Sequence, residues 1–158
     1  MAKVKPIPEG YHSVTPYLFI RGAARAIDFY KNVFGAKEKM RMPGPDGKIG
    51  HAELQIGDSV VMLADENPQS QAKSPETVGG ATNSLLLYLE NVDSVFEKAV
   101  KAGAKSLKPV ADQFYGDRMG TILDPFGQMW SVATHVEDVS PEEMQRRMAK
   151  ASSQAASG

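Results

Sequence analysis

The chain has no cysteine among its 158 residues, which excludes a disulfide framework, a thiolate nucleophile and a cysteine-based zinc site. That absence agrees with a reducing compartment. Neither sign of charge is in excess. Eighteen basic and 19 acidic side chains leave a net charge of -1, so the electrostatic footprint of a nucleic-acid binder is missing and an anionic membrane gains nothing. No apolar run approaches membrane-spanning length, and the opening Met1-Ala2-Lys3-Val4-Lys5-Pro6 lacks the apolar stretch of a signal peptide. The expectation is a cytoplasmic protein with no nucleic-acid or membrane partner. A glycine-rich nucleotide-binding turn after a strand is also missing, so a dinucleotide fold has no support.

What is present suffices for a sizeable core: 42% of residues are hydrophobic and 23% charged, which fits one globular unit or two closely fused halves. The chain says one thing twice. Residues 15–64 and 84–135 each lay down an apolar strand, an amphipathic helix closed by Gly-Ala-Lys (Gly35-Ala36-Lys37 and Gly103-Ala104-Lys105), and further short strands. In the first copy, Val14, Leu18 and Ile20 alternate with Thr15, Tyr17 and Phe19, and a helix follows with Ala23, Ile27, Tyr30 and Phe34 near helical spacing. In the second, Asn91 caps a helix with an apolar stripe of Val92, Val95, Phe96, Ala99 and Val100, and Asp124-Pro125-Phe126-Gly127 turns the last hairpin. Each copy is too small to bury a core alone. The predicted fold is α+β: two βαβββ modules forming a curved, mostly antiparallel mixed sheet around a cavity, with helices on the outer face. The organisation is a lead (1–11), a first module (12–64), a polar linker or lid (65–82), a second module (83–135), and a C-terminal helix with a disordered tail (136–158). Ser140-Pro141-Glu142-Glu143 starts that helix as a capping box, and the tail is expected from residue 151.

The Ala26-Ile27-Asp28-Phe29-Tyr30 and Val33-Phe34-Gly35 runs, with Asp124-Pro125-Phe126-Gly127 before the last strand, resemble the vicinal-oxygen-chelate superfamily of glyoxalase I, bleomycin resistance proteins and extradiol dioxygenases. Gly50-His51-Ala52-Glu53-Leu54, Gly57-Asp58-Ser59 and Tyr115-Gly116-Asp117-Arg118 look more narrowly like its PhnB-like branch. The likeness spans residues 13–135. Metal-dependent members carry His, Gln or Glu on the first and last strands of each copy, and alignment places those positions at Thr15, Met62, Ser84 and Ser131. The repeat agrees, since the same spacing separates Thr15 from Met62 and Ser84 from Ser131. Hydroxyls and a thioether do not replace imidazole or carboxylate on a divalent cation. The resemblance therefore implies a family member with the usual metal site vacant and no cofactor, for which sequestration of a toxic compound by bleomycin resistance proteins is the precedent. The ubiquinone-pathway methyltransferase activity attached to some relatives has no counterpart in these motifs.

Period-two alternation puts Thr15, Tyr17, Phe19, His51, Glu53, Gln55, Met62, Ser84, Leu86, Tyr88, Met129, Ser131 and Ala133 on the concave face. They describe either a small-molecule pocket or a closed core. His51 and Glu53, two apart on one strand, are the candidate acid-base pair, with Glu53 holding the imidazole tautomer; the alternative is a strand histidine hydrogen-bonded near the rim. Tyr115 and Arg118 are further ligand candidates. Arg118 suits a carboxylate or phosphate clamp positioned by Asp117, or else a structural pair with it. Trp130, out of phase with Ser131, points under a helix or into a subunit interface. The leading expectation is a homodimer that binds a small organic molecule without metal. An enzyme using His51 and Glu53, or a metal relocated to His51, Glu53 and His135, is the second expectation, and a non-catalytic scaffold or regulatory protein the third.

Overall fold

In a computed structural model, which describes residues 4–155, the two repeats fold as two four-stranded sheets. The first comprises β1 (Tyr17–Ile20), α1 (Ala23–Phe34), β2 (Lys37–Pro43), β3 (Ile49–Ile56) and β4 (Ser59–Asp65). A single helical turn, α2 (Pro75–Val78), interrupts the connection to the second, which comprises β5 (Ser84–Tyr88), α3 (Val92–Lys101), β6 (Lys105–Asp112), β7 (Asp117–Leu123) and β8 (Met129–His135). The strand orders are β1-β4-β3-β2 and β5-β8-β7-β6. In each sheet the first strand runs parallel to the last and the other pairs are antiparallel. This is the mixed α+β doubling expected from the repeat.

One core joins the modules. Leu18, Ile20, Leu54 and Leu63 point from the first sheet onto α1, whose Ile27 and Tyr30 are fully buried, and the same cluster takes in Ala99 of α3 and Ile122 and Trp130 of the second sheet. The two helices also touch each other. Each large side chain removed from water there contributes roughly 1.5–3 kcal/mol. Because strand side chains alternate, burying one face of each sheet against the helices leaves the other face open.

Local chemistry explains the ends. β1 begins at Tyr17 rather than Val14 because Pro16 has no N–H to enter the ladder, although its carbonyl accepts the Met62 N–H at 2.9 Å. No side chain caps α1 from its own N-cap residue. Instead Asp65 at the end of β4 accepts from the N–H groups of Gly22 and Ala23 at 2.9 and 3.0 Å, while its other oxygen accepts from Ile49 at 2.7 Å. Asn91 does cap α3, accepting from the Ser94 N–H at 3.1 Å. Asn91→Ala is expected to lower stability by about 1 kcal/mol in urea unfolding, with Asn91→Asp close to the parent.

α4 (Pro141–Ala155) continues past the predicted break at residue 151. Ala149, Lys150 and Ala151 favour helix, and neither proline nor glycine interrupts the run to Ala155. The rest of the expected disordered tail, residues 156–158, and the start of the lead, residues 1–3, lie outside the described residues.

Candidate functional site

On the open face of the first sheet, register lines up Met40, Glu53, Met62 and Tyr17 across four strands, with Met42 opposite His51 in the neighbouring row. Within this apolar setting the polar side chains form a continuous chain. The Tyr17 hydroxyl lies 2.7 Å from His51 Nδ1, and His51 Nε2 lies 3.1 Å from Glu53 Oε1. The second Glu53 oxygen accepts from the Tyr11 hydroxyl. Tyr11 comes from the N-terminal lead and is held there by Lys39, whose ammonium sits 4.3 Å from its ring centre. The hydrogen bond from Tyr11 is the main cause holding the buried Glu53 carboxyl below its ordinary range; burial opposes it and His51 assists. That stabilisation is present above the ordinary carboxylate value and is lost as pH falls through the lowered one. Phe19 stacks on Tyr17 with ring centres 4.8 Å apart. Gln55 is tied to the β3–β4 turn through the Gly57 carbonyl at 2.9 Å.

The open face of the second sheet carries a separate polar cluster. Rows run Ser84, Met129, Leu123; then Leu86, Ser131, Thr121; then Tyr88, Ala133, Met119. Beyond them, Asp117 stands opposite His135. The buried Asp117 carboxylate accepts from the Tyr88 hydroxyl at 2.7 Å and meets His135 Nδ1 at 2.7 Å, while His135 Nε2 lies 2.9 Å from Asp138. Tyr115, at the mouth of this cluster, turns its hydroxyl toward the Met119 sulfur. Burial pushes the Asp117 carboxyl up, yet the hydrogen bonds from His135 and Tyr88 hold it below its ordinary value. His135 moves the other way, raised first by Asp117 and then by Asp138. Its folded value exceeds the ordinary value of about 6.5, so its contribution to stability is complete below that pH and is lost as pH rises through the raised value. An NMR titration of the His135 ring is expected to show this raised midpoint, and Asp117→Asn is expected to bring it down.

Asp117 and His135 as partners were missed at the sequence level. The available signal was the alternation that sets Asp117, Met119 and Thr121 on the face of Ser131. The same alternation corrects the expectation for Arg118. As Asp117's neighbour in the strand it points to the helix side, donating to both oxygens of Asp93 on α3 at 2.7 Å and to Asp112 at 3.0 Å. It neither pairs with Asp117 nor reaches the open face. Trp130 is buried under α1, its indole N–H on Asp124 at 3.0 Å.

Apart from Arg118, and Thr15, which precedes β1, the predicted ligand residues are thus brought together as two groups, one per sheet. A cleft of about 600 Å³ between the modules is bordered by His12, Thr15, Val60, Leu86 and Tyr88 but reaches neither His51 nor Glu53. We place the candidate site on the sheet faces rather than in this cleft, because the hydrogen-bonded polar groups converge there.

The four positions aligned with family metal ligands do not fit a divalent cation. Thr15 turns its hydroxyl to the His12 carbonyl at 3.3 Å, Ser131 lies 3.3 Å from the Thr121 hydroxyl, Ser84 is exposed at its strand end, and Met62 offers only a thioether. A metal relocated to His51, Glu53 and His135 does not assemble either: the first two stand in one sheet and the third in the other. Among the described residues, no group of three or more His, Asp or Glu side chains is placed to hold a metal ion. Nor is any described helix long and apolar enough to cross a membrane.

Residues 11–132 match the family model described as Glyoxalase/Bleomycin resistance protein/Dioxygenase superfamily. The chain is 41% identical over 139 residues to the uncharacterized protein Mb0911c of Mycobacterium bovis, covering 86% of this chain and 91% of that one. Among solved structures it resembles TioX from Micromonospora, with 25% identity and a TM-score of 0.62 over 82% of this chain and 100% of that one. It also shares the fold of the PhnB protein of Bacillus cereus, a putative 3-demethylubiquinone-9 3-methyltransferase: 19% identity, TM-score 0.62, 78% of this chain and 99% of that one.

Proposed function

The chain belongs to the Glyoxalase/Bleomycin resistance protein/Dioxygenase superfamily, and on that premise we propose that it binds a small organic molecule over its open sheet faces, as a homodimer and without a metal ion. The observation that carries this reading is the exposure of large apolar side chains beside hydrogen-bonded polar groups. Tyr17, Leu86 and Tyr88 are 42%, 52% and 56% exposed, on strands whose other faces pack into the core, and Met42 on the edge strand β2 is 52% exposed. Apolar surface of this kind on a sheet marks a binding face or an interface. A second copy over these faces would turn them into the walls of a pocket, with the Glu53 and Asp117 clusters as its orienting polar points. Thr15, Met62, Ser84 and Ser131 favour the metal-free version, since their atoms are poor partners for a hard or borderline cation. Sequestration of a toxic small compound in the cytoplasm is the function class this arrangement suits.

Native mass spectrometry with elemental analysis, on protein purified from its own host, tests the reading. The expected species is a dimer carrying a non-covalent organic mass and no stoichiometric metal. A stoichiometric divalent metal overturns the metal-free reading, and a bare monomer at micromolar concentration overturns the pocket between copies.

A further inference from the structure

The chain of Tyr11, Glu53, His51 and Tyr17 has a direction. Glu53, kept ionised by its hydrogen bonds, can only accept, so the ring nitrogen facing it at 3.1 Å, His51 Nε2, carries the imidazole hydrogen. In the neutral ring this leaves a lone pair on Nδ1, which takes the Tyr17 O–H at 2.7 Å. Burial, with the Glu53 charge second, holds the Tyr17 phenol above its ordinary range, so its proton stays in place at rest. With that proton directed at His51, the Tyr17 oxygen has only lone pairs to offer outward. Whatever meets it must donate a hydrogen.

We propose that Tyr17 and His51 form a proton relay that ionises a weakly acidic hydroxyl, a phenol or an enol, on the bound molecule. The inference rests on the sheet-face pocket proposed above and names the class of ligand it takes. The ligand O–H bond breaks as its proton joins the Tyr17 oxygen, and the Tyr17 proton passes to His51 Nδ1. A neutral ligand and a neutral imidazole become a ligand anion and an imidazolium, with charge conserved and no oxidant required. Glu53 then pairs with the imidazolium, the arrangement by which a carboxylate stabilises the protonated base of a triad. The surroundings suit a flat ring: Phe19 lies nearly parallel to Tyr17 at an interplanar angle of 16°, and Met40 and Met42 occupy the same face. Tyr11 touches none of the reacting atoms. It is a positioning residue, fixing Glu53 from the lead and thereby the tautomer of His51.

The probes are 4-nitrophenol, whose phenolate absorbs to the red of the phenol, and 4-nitroanisole, which has the same ring and no acidic proton. At about one pH unit below the solution midpoint of 4-nitrophenol, the probe bound to the full chain is expected to show the phenolate band and to bind about tenfold more tightly than 4-nitroanisole. Tyr17→Phe and His51→Gln are expected to remove that band. Tyr11→Phe is expected to reduce it several-fold, an effect that loss of packing alone does not produce. Binding of both probes with equal affinity, with nitrophenol still neutral, overturns the relay and leaves the pocket standing. Persistence of the phenolate band in His51→Gln also overturns the relay. Failure of both probes to bind overturns the pocket and the relay together.

Discussion

Asp124→Ala is expected to remove about 4 kcal/mol of stability, a large share of the roughly 5–15 kcal/mol that holds a domain of this size folded. The carboxylate is 3% exposed and serves four donors. One oxygen accepts from the Tyr30 hydroxyl at 2.6 Å and the Trp130 indole N–H at 3.0 Å, and the other accepts from the N–H groups of Phe126 and Gln128, both at 2.9 Å. Tyr30 belongs to α1 in the first module, and the other three belong to the turn and strand of the second. The alanine variant strands two buried side-chain donors and two turn N–H groups, each at a cost of about 1–3 kcal/mol where water does not replace the partner. Partial access of water to the turn keeps the total below the sum. Tyr30→Phe, which deletes one donor and leaves no orphan on its own side, is expected to cost about 1–2 kcal/mol. In the double variant the two losses should not add, since both report one network. Urea unfolding followed by far-UV dichroism measures all three, and a loss below about 1 kcal/mol for Asp124→Ala would overturn the assignment of Asp124 as the tie between modules.

That tie shows what the sequence made legible and what it hid. The Asp-Pro-Phe-Gly turn is readable from local chemistry, as are the helices, because Ile27, Tyr30 and Phe34, or Val92, Phe96 and Ala99, recur at helical spacing. Period two assigned the facing residues correctly within each sheet: Tyr17, His51, Glu53 and Met62 share one open face, and Ser84, Leu86, Tyr88 and Ser131 share the other. Contacts between distant segments leave no such trace. Tyr30 reaches Asp124 from 94 positions away, Tyr11 reaches Glu53 from 42, and Arg118 finds Asp93 on a helix rather than the adjacent Asp117. Nor does alternation along a strand reveal how the sheets meet. Both faces of the first strand of each module are apolar, since Leu18 and Ile20 alternate with Tyr17 and Phe19, and Leu85 and Leu87 with Leu86 and Tyr88, so the pattern does not say which pair of faces meets. The side chains that border the candidate site were therefore predictable, whereas their pairing and the outward aim of the Tyr17 oxygen depended on the assembled tertiary structure.

Gly116→Ala is expected to cost about 3 kcal/mol and to release the segment that leads into α4. Gly116 has φ 99°, and a Cβ added there would collide with the carbonyl oxygen of Glu137, a backbone atom unable to swing aside as a side-chain tip does. The close approach is required by the hydrogen bonds made across it, since the Gly116 carbonyl accepts from the N–H groups of Val136 and Glu137 at 2.9 and 3.0 Å. Moving that strand end disturbs more than the turn. His135, one residue earlier, would lose its alignment on Asp117. Glu137 would also be displaced from Arg147, which anchors α4 with two bonds of 2.7 and 2.9 Å. Gly57→Ala supplies the control, because Gly57 also has positive φ, 57°, but nothing within 4 Å of an added Cβ. It should cost only the conformational strain of about 1 kcal/mol, so the difference between the two variants isolates the collision. Hydrogen exchange should place the added opening of Gly116→Ala in residues 136–155, and the His135 midpoint should fall toward its ordinary value. Equal stabilities for the two alanine variants, with His135 unmoved, would mean that the Glu137 carbonyl yields freely and that this junction does not hold the second polar cluster in place.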